Sequence, residues 1–166
     1  MSTLLLLLIY QSYYQIVKAF ENNKYKTENF ILFCSALDFQ IKDKNCKYKL
    51  IIDDKSYHLY LHNNILAFIT NYSPDKPLIV IYKFFEDKVK YWEHYYEKNI
   101  KVTDILENEK PFIFNLSCKL STKILNKNKE EEEKNKENNI SSISITIEGP
   151  KGLKKELIWS ECKNEI

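Results

Sequence analysis

Apolar positions along the chain fall into blocks whose spacing changes from one stretch to the next. Leu4 to Tyr10 is continuously apolar and reads as a fully buried strand. Gln15 to Phe20 reads as a second strand, joined through a turn at Gln11–Tyr14. Phe30, Cys34, Leu37 and Ile41 then recur every three to four residues, which predicts an amphipathic helix over about 28–42, with Thr27 as a capping residue. Cys46 to Ile52 is β-rich, and Asp53-Asp54-Lys55 is a turn. Tyr57, Leu59 and Leu61 alternate with His58, Tyr60 and His62, the period of a strand with one buried face. Asn63-Asn64 suits the positive φ angles of a tight hairpin, with Ile65 to Thr70 as the returning strand.

The stretch from Asp75 to Tyr96 carries Leu78, Tyr82, Phe85, Val89, Trp92 and Tyr96 on one helical stripe. Ser73 or Asp75 can cap such a helix, with Pro74 or Pro77 in its first turn. At 1.5 Å per residue it would be roughly 33 Å long, enough to cross a five-stranded sheet. A further helix is expected from about Thr103, broken near Pro111 and resuming with Ile113, Leu116, Leu120 and Ile124. Residues 126–139 are Lys, Glu and Asn only and read as a solvated linker. In the last stretch Ile143, Ile145 and Ile147 alternate with polar residues, and Glu148 to Gly152 is a turn before Leu153–Trp159. Three regions follow: a main domain over 1–125, the charged linker over 126–139, and a C-terminal hairpin or short extension over 140–166.

Composition narrows the functional classes. The 166 residues are enough for one domain with a sizeable core, burying roughly 70% of the unfolded surface. All 25 basic residues are lysine and the net charge is +2. Without arginine, the residue suited to bidentate phosphate and base recognition, no nucleic-acid partner is expected. Cysteines at 34, 46, 118 and 162 match neither a zinc spacing nor a disulfide framework, so four free thiols in a reducing compartment are expected. The Leu4–Tyr10 run is too short to span a membrane, which takes about 20 residues. It also lacks the early positive charge of a secretory leader. The triplets at Asn71, Asn115 and Asn139 then read as coincidences of an Asn-rich chain.

Catalytic motifs are not in evidence. Two glycines, at 149 and 152, cannot build a phosphate loop. On a strand His58 and His62 lie roughly 13 Å apart and cannot share one ion. Cys34, Cys46 and Cys118 sit in apolar stretches, where cysteine behaves as a small hydrophobe. Asp53-Asp54 reads as a turn and Glu130–Glu133 as a solvated charge run. The reading is therefore of a protein that is not an enzyme, with no catalytic, cofactor or metal residues and no small-molecule substrate. Interface candidates are Tyr91, Tyr95, Trp92 and Phe85, aromatic residues of the kind that anchor binding hot spots.

The order of blocks resembles the longin fold. Leu4–Tyr10 with Gln15–Phe20 is similar to the opening hairpin of the small, sigma-like subunits of vesicle adaptor complexes. Tyr57–Asn71 resembles their central hairpin, and Pro77–Tyr96 the long helix that follows. The likeness covers about 1–125. It departs from those subunits in lacking acidic residues in the last helical segment and in carrying the Glu-rich linker and terminal hairpin. It implies an α/β (α+β), longin-like fold: a five-stranded antiparallel sheet in order 2-1-5-4-3, with helices on both faces, plus the C-terminal hairpin. It also implies a non-catalytic subunit of an adaptor or coat complex of the AP, COPI or TSET type in vesicle-mediated protein transport. Its partners would be larger subunits, bound over more than ~2,000 Å². It would be cytoplasmic and recruited to membranes only indirectly. Ser35–Phe39 resembles a motif of sedlin-type TRAPP tethering subunits, the alternative within traffic; an enzyme with an unrecognised site is the alternative outside it.

Overall fold

The computed structural model describes residues 3–73, 76–125 and 142–162, and the side chains of these apart from 19–25 and 72–73. In chain order it holds helix α1 (Thr3–Lys42) and the strands β1 (Leu50–Ile52), β2 (Lys55–Tyr57), β3 (Leu59–His62), β4 (Ile65–Ser73), β5 (Lys76–Phe84) and β6 (Val89–Tyr95). Helix α2 (Val102–Asn108) follows, then β7 (Phe112–Phe114), β8 (Lys119–Leu125), β9 (Ser142–Glu148), a 3-10 turn at Pro150–Gly152, and β10 (Lys154–Ser160). The described residues form a mixed α/β structure with three antiparallel sheets, the largest a five-stranded meander in the order β3-β4-β5-β6-β7. No described helix is long and apolar enough to cross a membrane.

That meander is the middle layer, and the side-chain period of two divides its residues between two cores. Leu66, Phe68, Val80, Tyr82, Phe84 and Val89 face a core completed by Phe30, Phe33, Cys34, Leu37 and Ile41 of α1 and by Ile145, Ile147, Leu157 and Trp159 of β9 and β10. Ala67, Ile69, Ile79, Ile81 and Trp92 face the other way, against Leu50 and Ile52 of β1 and Val102 and Ile105 of α2. Helices thus cover both faces, as the sequence suggests. The terminal hairpin is present too; β8 pairs alongside it as β10-β9-β8, and its inward side chains belong to the main core. Residues 126–139, read as a linker, lie outside the described residues.

Four expectations fail, each for a definable reason. Leu4–Tyr10 and Gln15–Phe20 are not strands; both lie in α1. A short apolar run cannot by itself tell strand from helix. Leucine favours helix, and no Gly or Pro interrupts the chain before Pro74. Residues 76–95 are not a helix but the hairpin β5–β6. The helical stripe there was real in spacing, but Leu78-Ile79-Val80-Ile81-Tyr82 is apolar and largely β-branched without a break. All five side chains are buried, because this strand is covered on both faces. Beyond Pro111 the chain enters β7 and β8 and does not resume a helix; proline biases the residue before it toward extended backbone. The sheet order is consequently the plain meander, not 2-1-5-4-3.

The fourth correction concerns cysteine. Cys46 and Cys162 form a disulfide, their Cα atoms 5.5 Å apart across 116 residues of chain. Cys34 and Cys118 are free and buried. Spacing rules are blind to a pair assembled only when β10 folds back beside the end of α1. That helix end is itself held by β4: the Thr70 hydroxyl reaches the carbonyls of Gln40 (2.9 Å) and Asp43 (3.2 Å), and the Asp43 carbonyl also accepts from the Asn71 N–H (3.1 Å). Other calls stand. The helix over 28–42 is the second part of α1, and α2 occupies the place expected after 103. The turns at 53–55 and 63–64 have positive φ at Asp53, Asp54, Asn63 and Asn64.

Candidate functional site at the open edge of strand β6

β6 pairs with β5 along its whole length, from Val89 to Tyr95. On its other side β7 covers only Val89–Tyr91. From Trp92 to Tyr95 that edge has no strand beside it among the described residues, and a cleft of about 320 Å³ opens there, lined by Leu78, Glu93, His94, Tyr95, Glu97 and Glu109. Tyr95 also borders a second groove of about 320 Å³ with Lys76, Pro77 and Tyr96. Tyr95 is 53% exposed. Tyr96 beneath it is stacked on Tyr48 with ring centroids 4.4 Å apart, and its N–H donates to the Pro77 carbonyl at 2.9 Å.

The walls are held in place by hydrogen bonds. Tyr91 Oη donates to Glu93 Oε2 (2.8 Å) and accepts from Gln40 Nε2 (3.1 Å), while Tyr82 Oη donates to Gln40 Oε1. Burial, reinforced by the bond to Glu93, raises the Tyr91 phenol well above its ordinary pKa, so it remains a donor; burial does the same to Tyr82. On the other side of the sheet Trp92 Nε1 donates to the Glu109 carbonyl (3.0 Å), and His94 Nε2 lies 3.0 Å from Glu109 Oε1. The end of α2 is thereby tied to β6. Three carboxylates and one imidazole line the cleft, so its field favours cations.

Of the four interface candidates, three belong to this site. Tyr95 borders both grooves, Tyr91 positions Glu93 from below, and Trp92, 6% exposed, is core that fixes the Glu109 backbone. Phe85 lies elsewhere, in the β5–β6 turn, with the ammonium groups of Lys83, Lys88 and Lys90 at 5.4, 5.6 and 5.3 Å from its ring centre. The sequence reading missed Glu93, Glu97 and Glu109. Reading Val89–Tyr95 as a strand would have placed Tyr91, Glu93 and Tyr95 on one face; nothing in the sequence brings Glu109 to them.

Other reactive groups are placed differently. Burial pushes the Cys34 thiol up to about 12, aided by its neighbour Cys118 and opposed by Lys155; burial pushes Cys118 up to about 11. Both are protonated at neutral pH, the opposite of an activated nucleophile. Burial and the nearby Lys49 lower the His58 pKa, and its Nδ1 is buried without a hydrogen-bond partner. Among the described residues no three His, Cys, Asp or Glu side chains converge as a metal site. No family model, curated protein or solved structure matches this chain.

Proposed function

We propose that this domain recognises another protein and does not act as a catalyst, by receiving an extended, positively charged segment along the open stretch of β6. The observation that carries the reading is the exposed Tyr95 on an uncovered strand edge, flanked by Glu93, Glu97 and Glu109. A strand edge with no strand beside it can take an incoming extended segment, whose pairing at Tyr95 would displace the contact of its carbonyl with His94 Nδ1 (2.6 Å), and the flanking pockets select its side chains. Tyr95 supplies a large amphipathic contact at low entropic cost, over the stem of a lysine or an aromatic ring. The carboxylates supply the charge preference and accelerate encounter.

Membership of a vesicle adaptor complex is a narrower statement, and so is the TRAPP alternative. The adaptor likeness drew on a hairpin at 4–20 and a helix at 77–96, and neither element forms. A cytoplasmic home also fits poorly with a Cys46–Cys162 disulfide. The proposal is therefore confined to protein recognition at the β6 edge.

Fluorescence titration against extended peptides that differ only in charge tests it. Lysine-rich peptides should bind the full chain, with affinity falling as salt rises. Tyr95→Ala should weaken binding by more than tenfold, and Glu93→Gln with Glu97→Gln should abolish the charge preference. Equal binding of acidic and basic peptides, unaffected by these substitutions, would contradict the reading.

A further inference from the structure

Two features of the molecule remain without a role in recognition: the first part of α1 and the disulfide. The first part of α1 is unusual in its chemistry. Leu4, Leu5, Leu6, Leu7, Leu8 and Ile9 are 51–69% exposed, and Tyr10, Tyr13, Tyr14 and Ile16 are 55–69% exposed. Among residues 3–29 with described side chains none is buried; the first core residue of the helix is Phe30. These apolar groups do not form a stripe that a partner's groove could cover. From Leu4 to Ile9 they surround the helix on every side, the pattern of a segment meant for an apolar medium. Seven residues, Leu4 to Tyr10, are too few to span a bilayer but fall within the length of the apolar part of a secretory leader, although without the early lysine that such leaders usually carry. Such leaders end at small residues, and by sequence the Val17-Lys18-Ala19 triplet offers one before the polar run Glu21-Asn22-Asn23.

The disulfide points independently in the same direction. It joins residues 116 apart, and structural disulfides of this kind belong chiefly to oxidising surroundings. A chain that must form it benefits from leaving the reducing interior of the cell.

We infer that residues from Leu4 to about Ala19 are an export leader, removed before the chain takes its mature form, and that the mature domain works in an oxidising compartment with Cys46 and Cys162 joined. Removal takes no described core side chain from the fold, because those of α1 begin at Phe30. This reverses the sequence reading of that segment as a buried strand. It also gives the acceptor triplets a use. Asn115 and Ser117 are exposed at the end of β7, so Asn115 is open to glycosylation. Asn71 is not, since its Nδ2 donates to the Asp43 carbonyl (3.2 Å) and its Oδ1 accepts from Asn45 (2.8 Å).

Expression of the whole chain in a eukaryotic secretory cell line tests this. The expected product is in the medium, begins at a residue between 11 and 29 by N-terminal sequencing, and contains one disulfide by mass spectrometry. It also loses mass on glycosidase treatment, and Asn115→Gln lowers that loss by one glycan. Leu6→Glu with Leu7→Glu changes no core contact and should keep the chain inside the cell, unshortened and reduced. An unshortened wild-type chain, whether retained or released, overturns the leader; a shortened chain without a glycan at Asn115 overturns that assignment.

Discussion

The two parts of α1 are one continuous helix made from similarly apolar material, yet they differ in every respect that matters to stability. Residues 30–41 place Phe30, Phe33, Cys34, Leu37 and Ile41 on one stripe, each buried to 5% exposure or less. Residues 4–16 have as many large apolar groups and bury none of them. The difference lies in arrangement. A helix contributes through a face that another layer can cover, and each side chain so covered is worth about 1.5–3 kcal/mol. Apolar groups distributed around a helix find no layer, whatever their number. Within a single element, apolar content alone therefore does not indicate membership of the core.

The comparison can be broken most severely at the disulfide, which ties the segment just after the buried part of α1 to the end of β10. Closing a loop of this length removes about 5 kcal/mol of denatured-state entropy. Cys46→Ser should show a loss of that order in urea denaturation, and a denaturation curve unchanged by reduction would refute the bond's role. Next in size, Leu37→Ala should cost about 2–5 kcal/mol, because Leu37 is fully buried. Leu6→Ala, on the same helix, should cost less than about 0.5 kcal/mol. Similar losses at the two positions would erase the distinction between the two parts.

Gly149→Ala should destabilise by about 1–3 kcal/mol. A Cβ at that position would meet the Phe30 ring at 2.4 Å, where the buried part of α1 packs against the turn before β10. A neutral result by thermal unfolding would mean that the ring has room to retreat. The smallest effect concerns pH. Cys34 and Cys118 have folded-state pKa values raised to about 12 and 11, against an ordinary value of 9.0. Their contribution is fully present below pH 9. It is lost as pH rises from 9 through 11 to 12, because the unfolded chain releases those protons first. Urea midpoints should therefore fall between pH 8 and pH 10, and the thiols should resist alkylation until the chain unfolds. A flat midpoint over that range would place the thiols nearer water.

How much of this was legible in the sequence depended on whether local pattern and tertiary environment agreed. They agreed at Phe30–Ile41, where a helical stripe meets a sheet, at the Asn63-Asn64 hairpin, and at Ile143–Ile147, where strict alternation matches a strand covered on one face. They disagreed at Leu78–Tyr82. There a strand buried on both faces has no alternation, and its apolar run continues into Phe85, Val89 and Trp92 at spacings that imitate a helix. At Leu4–Tyr10 the run has no period of either kind, and burial was assumed where the chain provides none. The candidate site was half visible. Tyr91, Trp92 and Tyr95 stood out as aromatic residues, but the carboxylates that give the cleft its charge come from two elements whose meeting depends on the β5–β6 hairpin. The disulfide was invisible for the same reason.

The central claim is that the apolar side chains from Leu4 to Ile16 belong to the chain but not to its core. Thermal unfolding of the oxidised chain beginning at Val17, beside the oxidised full-length chain, measures it directly. The account predicts midpoints within about 2–4 °C of one another, the equivalent of ~1 kcal/mol for a protein of this size. A shortened chain that melts more than about 10 °C lower, or does not fold, would show that the apolar arm is part of the core after all.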